Sequence, residues 1–308
     1  MPFFIMNCHE FVGNRIVATL NCVRVVFCVV SGMTYSSDGG AIYCALGSSN
    51  VFVSGCTFAQ CQATGKNGGA IYCTGANSNT SILKTCFFEC YAVYGQAVES
   101  RQTGFSYKYA NDTSVSKCPP SRQNVQYSFW YLNNYIYVRG FNSSNNENTI
   151  YVPAIEMRIA SSAFLLYSTI SNNFGDACVS SVEGTHTKYE RLNVVNNKYS
   201  TNHNYGIFYC YQKCDFYDSV FLNNQLPLLS NHFTVTLSNC KMDALTYYNL
   251  QPVLINGSIT SGSHVTYVLN HLNTFLCGGN IINVATDKMS MRYQKSFIYI
   301  TLYLLQFI

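Results

Sequence analysis

The chain has 308 residues, of which 48% are hydrophobic and only 10% charged, with a formal net charge of +4 at pH 7. So few charges, against the roughly 25% usual in soluble domains, mean that Asn, Ser, Thr and 25 tyrosines must furnish the polar surface. The slight positive balance, with no Lys/Arg cluster, argues against a nucleic-acid partner.

Met1 to Met6 is apolar, but Glu10 follows quickly and no basic stretch precedes it, so no signal peptide is read. Ile16 to Val30 is Val-rich yet interrupted by Asn21 and Arg24, which predicts buried strands in place of a membrane span.

Next comes Gly39-Gly40-Ala41-Ile42-Tyr43-Cys44, and Gly68-Gly69-Ala70-Ile71-Tyr72-Cys73 repeats it 29 positions later. At the same offset Phe58 answers to Phe87 and Cys61 to Cys90. A recurrence of that length marks a solenoid, propeller or array. Short β-prone runs such as Val51-Phe52-Val53 and Ile82-Leu83 are bounded by Gly, Ser and Asn clusters, and no window holds apolar residues at helical spacing. The Gly-Gly pairs supply positive φ at a corner. A worn third copy stands at Gly95-Gln96-Ala97-Val98.

From 101 to 153 the repeat loosens. Cys118-Pro119-Pro120 interrupts any ladder, while Tyr127 to Tyr131 and Tyr135 to Val138 read as two strands with aromatic outer faces. From 154 to 285 a second form appears. Ser168-Thr169-Ile170-Ser171-Asn172-Asn173 is echoed by Leu192 to Asn197 and by Ser219 to Asn224. Each copy keeps an apolar residue three before its closing Asn, the relation of Phe58 to Cys61. That predicts an Asn ladder through Asn173, Asn197 and Asn224, passing side-chain amides from coil to coil. Residues 286–308 form a basic then apolar tail whose last run of twelve is too short to span a bilayer; it is either a truncated anchor or a terminal strand.

A period of 24–29 without helices predicts an all-β, right-handed parallel β-helix over 1–285, of roughly ten coils at about 4.8 Å each. Gly39, Gly40, Gly68, Gly69, Cys44, Cys73, Cys61 and Cys90 then occupy stacked structural positions. The 15 cysteines are expected as core thiols stacked coil on coil, with a few disulfides as the alternative. Their gaps do not match zinc sites, and no metal or cofactor is expected.

The Gly-Gly-Ala-Ile tetrads with Phe58-x-x-Cys61 and Phe87-x-x-Cys90 between them resemble the repeats of chlamydial polymorphic outer membrane proteins, in which GGA[ILV] and FxxN alternate. The same repeats occur in surface proteins predicted in parasitic protists. This resemblance covers about residues 39–100, with a looser match to about 243. It implies a pectin-lyase-type β-helix at a cell surface or membrane, with an adhesin-like role toward a host or neighbouring-cell protein or glycan.

The pectin-lyase fold also hosts polysaccharide lyases and glycoside hydrolases, the rival reading. Such chemistry needs at least two convergent carboxylates. The seven Asp and seven Glu are scattered, although Asp176, Asp215 and Asp243 could gather on neighbouring coils. Asp215 and Asp218, three apart, point to opposite faces of a strand, and His203, His264 and His271 have no catalytic company. No catalytic residue is assigned. The expected binding surface is aromatic: Tyr43 and Tyr72 at one repeat position, and Tyr127, Tyr131, Tyr135 and Tyr137 crowded into one segment.

Overall fold

The computed structural model describes residues 4–7, 15–18, 22–45, 50–118, 127–148, 152–200, 205–249, 251–259, 266–269 and 272. They form a parallel β-solenoid with no helix, and thus no helix long and apolar enough to cross a membrane. One coil shows the construction. Ile71–Ala76, Thr80–Leu83 and Cys86–Phe88 are three extended legs, and a short fourth, Tyr91–Tyr94, leads into the next coil. First and second legs stack into one 17-stranded sheet and third legs into a nine-stranded one. Fully formed coils are therefore fewer than the ten that length suggested.

The exact hexapeptide copies stack in register. Ile71 pairs with Ile42, Tyr72 with Tyr43 and Cys73 with Cys44, and the worn copy continues the column with Val98 on Ile71. Alternation then points Ile42, Ile71, Cys44 and Cys73 inward, where they are buried. On the third leg Phe58 and Phe87 stack 5.2 Å apart at 9°. Each such buried side chain contributes on the order of 2 kcal/mol. The Val-rich stretch near the start is strand, as read: Cys22–Val26 buries Val23, Val25 and Val26.

Corners are made by left-handed residues. One corner column runs through Asp112, Gly140, Tyr167, Arg191 and Asp218 at φ 47 to 61°. The next runs through Gln60, Glu89, Lys117, Asn145, Asn172, Asn196 and Asn223 at φ 51 to 56°. Asn tolerates that region best among residues with side chains. In each Asn-Asn pair the first residue therefore turns the corner and the second points inward.

That inward column is the ladder. Asn146 Nδ2 donates to Asn173 Oδ1 at 3.1 Å, Asn173 Nδ2 to Asn197 Oδ1 at 3.1 Å, and Asn197 Nδ2 to Asn224 Oδ1 at 3.0 Å. Asn146, Asn197 and Asn224 also donate to the third leg one coil back, at Val115, Ile170 and Val194 carbonyls. Cys61 and Cys90 do the same with their thiols, to Val30 and Phe58 carbonyls at 3.6 and 3.4 Å. Cys on the earlier coils gives way to Asn on the later ones in this column because both donate at that point.

Eleven described cysteines are free, and all but Cys22 are buried. Burial pushes Cys56 up to about 11 and Cys73, Cys118 and Cys210 well above the usual thiol range, and a hydrogen bond with Cys90 followed by burial does the same for Cys61, so these thiols stay protonated and unreactive. Cys28 and Cys86 alone among the described cysteines are disulfide-bonded.

In the middle coils the first and second legs fuse into bent strands, including Tyr127–Arg139 and Val152–Leu166. The two strands expected across Tyr127 to Val138 are thus one, bending at Asn133 and Asn134. The tail at 286–308 lies outside the described residues, as do His203, His264 and His271.

Candidate functional site

The outer face of the first legs carries Tyr43 and Tyr72, stacked 5.8 Å apart, as equal repeat positions require. The same column continues through Glu99, Trp130, Glu156 and Ser180. This face is closed. A register shift between Tyr127 and Phe129 turns Tyr127 outward against Trp130, 4.6 Å between ring centres, and both are buried. The Arg101 guanidinium lies 4.3 Å over Trp130 and pairs with Glu99. Tyr131 is a correction. Beyond the register shift it faces inward beside Phe129 and is 0% exposed, so it belongs to the core and to no binding surface.

Glu99 and Glu156 have almost no contact with water. Burial outweighs the pull of Arg101 and Arg158 and pushes each carboxyl up to about 8. Because the fold holds these protons more tightly than the unfolded chain does, their stabilisation is complete below pH 4.5 and is lost as pH rises through 8. Lys108, buried inside the solenoid and pushed down to about 7, acts in the opposite sense, losing stabilisation as pH falls from 10.5 toward 7. Below pH 7 the two carboxyls have the larger effect, since Lys108 is by then mostly protonated in both states. Stability should therefore fall between pH 5 and pH 7, by on the order of 3 kcal/mol per carboxyl, lowering the melting temperature with it, and Glu99→Gln with Glu156→Gln should flatten the profile. Calorimetry across that range checks it; a wild-type profile rising with pH would contradict it.

The outer face of the second legs is open. Tyr107 and Tyr109 register with Tyr135 and Tyr137. Tyr109 and Tyr137 stack at 5.5 Å and 10°, Tyr107 and Tyr135 lie 5.6 Å apart, and Phe164 packs 5.7 and 5.9 Å from Tyr135 and Tyr137. Tyr107 is 61% exposed and the other four are half-buried. Two predicted surface tyrosines, Tyr135 and Tyr137, are thus on an aromatic platform. Tyr107, Tyr109 and Phe164 complete it. The sequence signal for them was the offset of 28 from Tyr107 to Tyr135 and from Tyr109 to Tyr137.

Where this platform meets the corner column, a cavity of about 880 Å³ opens, within the range that holds small ligands. Its floor is Tyr109, Arg139, Gly140, Tyr167 and Arg191; Asp112 and Asp218 stand at its ends, and residues 267–269 roof it. The roof is pinned by Asn193, whose Nδ2 donates to the Tyr267 carbonyl and whose Oδ1 accepts from the Tyr267 N–H, both at 2.8 Å. The Arg139 and Arg191 guanidiniums lie 4.7 and 5.4 Å over the Tyr167 ring. Sequence reasoning missed this set because each coil puts a different residue at the corner.

The carboxylates suspected of converging do not. Asp176 is buried before a first leg, Asp215 lies on the second leg bound to His186 at 2.8 Å, and Asp243 follows a third leg, donating no proton but accepting from the Asn223 N–H at 2.5 Å. Asp112 and Asp218 are four rungs apart, roughly 19 Å at rung spacing, beyond any glycosidase pair. Among the described residues no group of three His, Cys, Asp or Glu is placed to hold a metal ion. No family model, curated protein or solved structure matches the chain.

Proposed function

We propose that this chain is a non-enzymatic, adhesin-like solenoid displayed at a cell surface, binding a protein or glycan on its lateral faces. The observation that carries the reading is the open platform of Tyr107, Tyr109, Tyr135, Tyr137 and Phe164, ranked on successive coils. Aromatic side chains ranked at rung spacing suit an extended ligand running along the axis, such as a glycan chain. Display at the surface and membrane association rest on the repeat resemblance.

Two measurements test it. A glycan and cell-binding screen should give a ligand whose affinity falls by roughly tenfold or more in Tyr109→Ala with Tyr137→Ala, since each aromatic contact is worth about 1 kcal/mol. Surface labelling of intact cells should reach the protein; labelling only after permeabilisation would remove the adhesin-like role.

A second reading, a polysaccharide-active enzyme, is favoured by one observation. Glu99 and Glu156 stand two rungs apart, roughly 10 Å, close to the separation of an inverting pair. Against it, both carboxyls are buried and hold their protons up to about pH 8, so neither serves as the base at neutral pH. Release of reducing ends from a polysaccharide panel, abolished by Glu156→Gln, would establish this reading in place of the first.

A further inference from the structure

The cavity roofed by residues 267–269 has a chemistry distinct from the tyrosine platform beside it. Arg139 and Arg191 come from coils on either side of Tyr167, and both rest over its ring. A guanidinium lying over a ring keeps its N–H groups in its own plane, free to meet a planar anion edge-on. Among the described residues neither side chain forms an ion pair or donates a hydrogen bond to protein. Two such cations share one cavity with Asp112 and Asp218, so the lining carries no net charge, and it is the two guanidiniums side by side that an anion would meet.

The surroundings select further. Gly140 keeps the floor low on the Arg139 coil, between Asp112 and Tyr167; a Cβ there would come within 2.6 Å of Asp112 Oδ1. Asp112 and Asp218 are placed at the ends, where they can accept from hydroxyl groups and repel a ligand charged along its whole length. Tyr109 lines the cavity and also belongs to the platform, so the two surfaces are continuous.

We propose that this cavity is a subsite for an acidic saccharide, with its carboxylate or sulfate held by Arg139 and Arg191 and its neutral rings continuing onto Tyr109 and Tyr137. The assignment rests on the lateral-face binding reading above and adds the charge of the ligand.

The test uses the full chain and three probes: sialyllactose, sulfated lactose and neutral lactose, each followed by isothermal titration and by chemical-shift changes at the tyrosines. The acidic probes should bind more tightly than lactose by roughly tenfold or more, as expected for a hydrogen-bonded charge pair, with affinity falling as salt is added. Arg139→Ala and Arg191→Ala should each remove most of that advantage, bringing the acidic probes close to the affinity of lactose for the same variant. Preference for sialyllactose over sulfated lactose would assign a carboxylate, and the reverse a sulfate. Equal binding of all three probes, or an acidic preference that survives both arginine substitutions, would overturn the subsite while leaving the platform reading intact. Acidic binding lost with the arginines but untouched by Tyr109→Ala with Tyr137→Ala would keep the anion pocket and overturn the platform. Failure of every probe to bind, with circular dichroism showing folded protein, would overturn the subsite; the platform reading would then stand or fall on the wider screen.

Discussion

Gly69→Ala should cost about 3 kcal/mol or more, and Gly32→Ala only about 1 kcal/mol. A methyl on Gly69 would collide with the carbonyl oxygens of Gln96 and Tyr91, because at this corner successive coils touch backbone to backbone. Gly40 faces Gly69 in the same way. The collision is with main chain, which can give way only by separating two coils and breaking the ladder between them. Gly32 has nothing within 4 Å of its added Cβ, so only its positive φ of 64° is penalised. Thermal unfolding followed by circular dichroism distinguishes the two, at roughly 2 °C per kcal/mol for a chain of this size. Equal melting temperatures would mean that the coils do not stack at Gly69 as described.

The second large effect is expected at Asn173. Its Oδ1 accepts from Asn146 N–H and Nδ2 at 3.1 Å each, and its Nδ2 donates to Asn197 Oδ1 and to the Ser143 carbonyl at 3.1 Å. Asn173→Ala strands several buried partners at once, and each unsatisfied group costs about 1 kcal/mol or more, for a total of about 3 to 5 kcal/mol. The adjacent Asn172 sits exposed at φ 54°, and Asn172→Gly should be neutral or slightly stabilising. Urea unfolding of the two variants separates ladder from corner. If the two substitutions cost the same, Asn-Asn would be no more than a turn motif.

The fold was legible because interior and corner positions tolerate few residue types. A side chain at the Ile71 position must be apolar and fit between those above and below, so Ile42, Ile71 and Val98 recur. The ladder position admits a small donor, hence Cys61 and Cys90 in one form of the repeat and Asn173, Asn197 and Asn224 in the other. Tyr43 and Tyr72 could be equated from their repeat position, but nothing in the chain indicated that Tyr127 and Trp130 pack into a closed outer face. Tyr131 misled because Tyr127 to Tyr131 are all buried, which erases the alternation that tells inside from outside. The bulge that sets their parity depends on the neighbouring strand.

The winding into parallel coils, the residues that line the core and the small polar groups of the ladder could all be read from the order of amino acids. These follow from local demands met again in every turn. The folded coils were needed to show that Tyr109, Arg139, Tyr167 and Arg191 meet at one cavity, that Glu99 and Glu156 are sealed beside Trp130, and that residues 267–269 cross over the corner. Outer positions carry no repeated constraint, so their neighbours are fixed by how many residues each coil spends between its legs. That spacing varies from turn to turn, and stacking the coils converts it into contact.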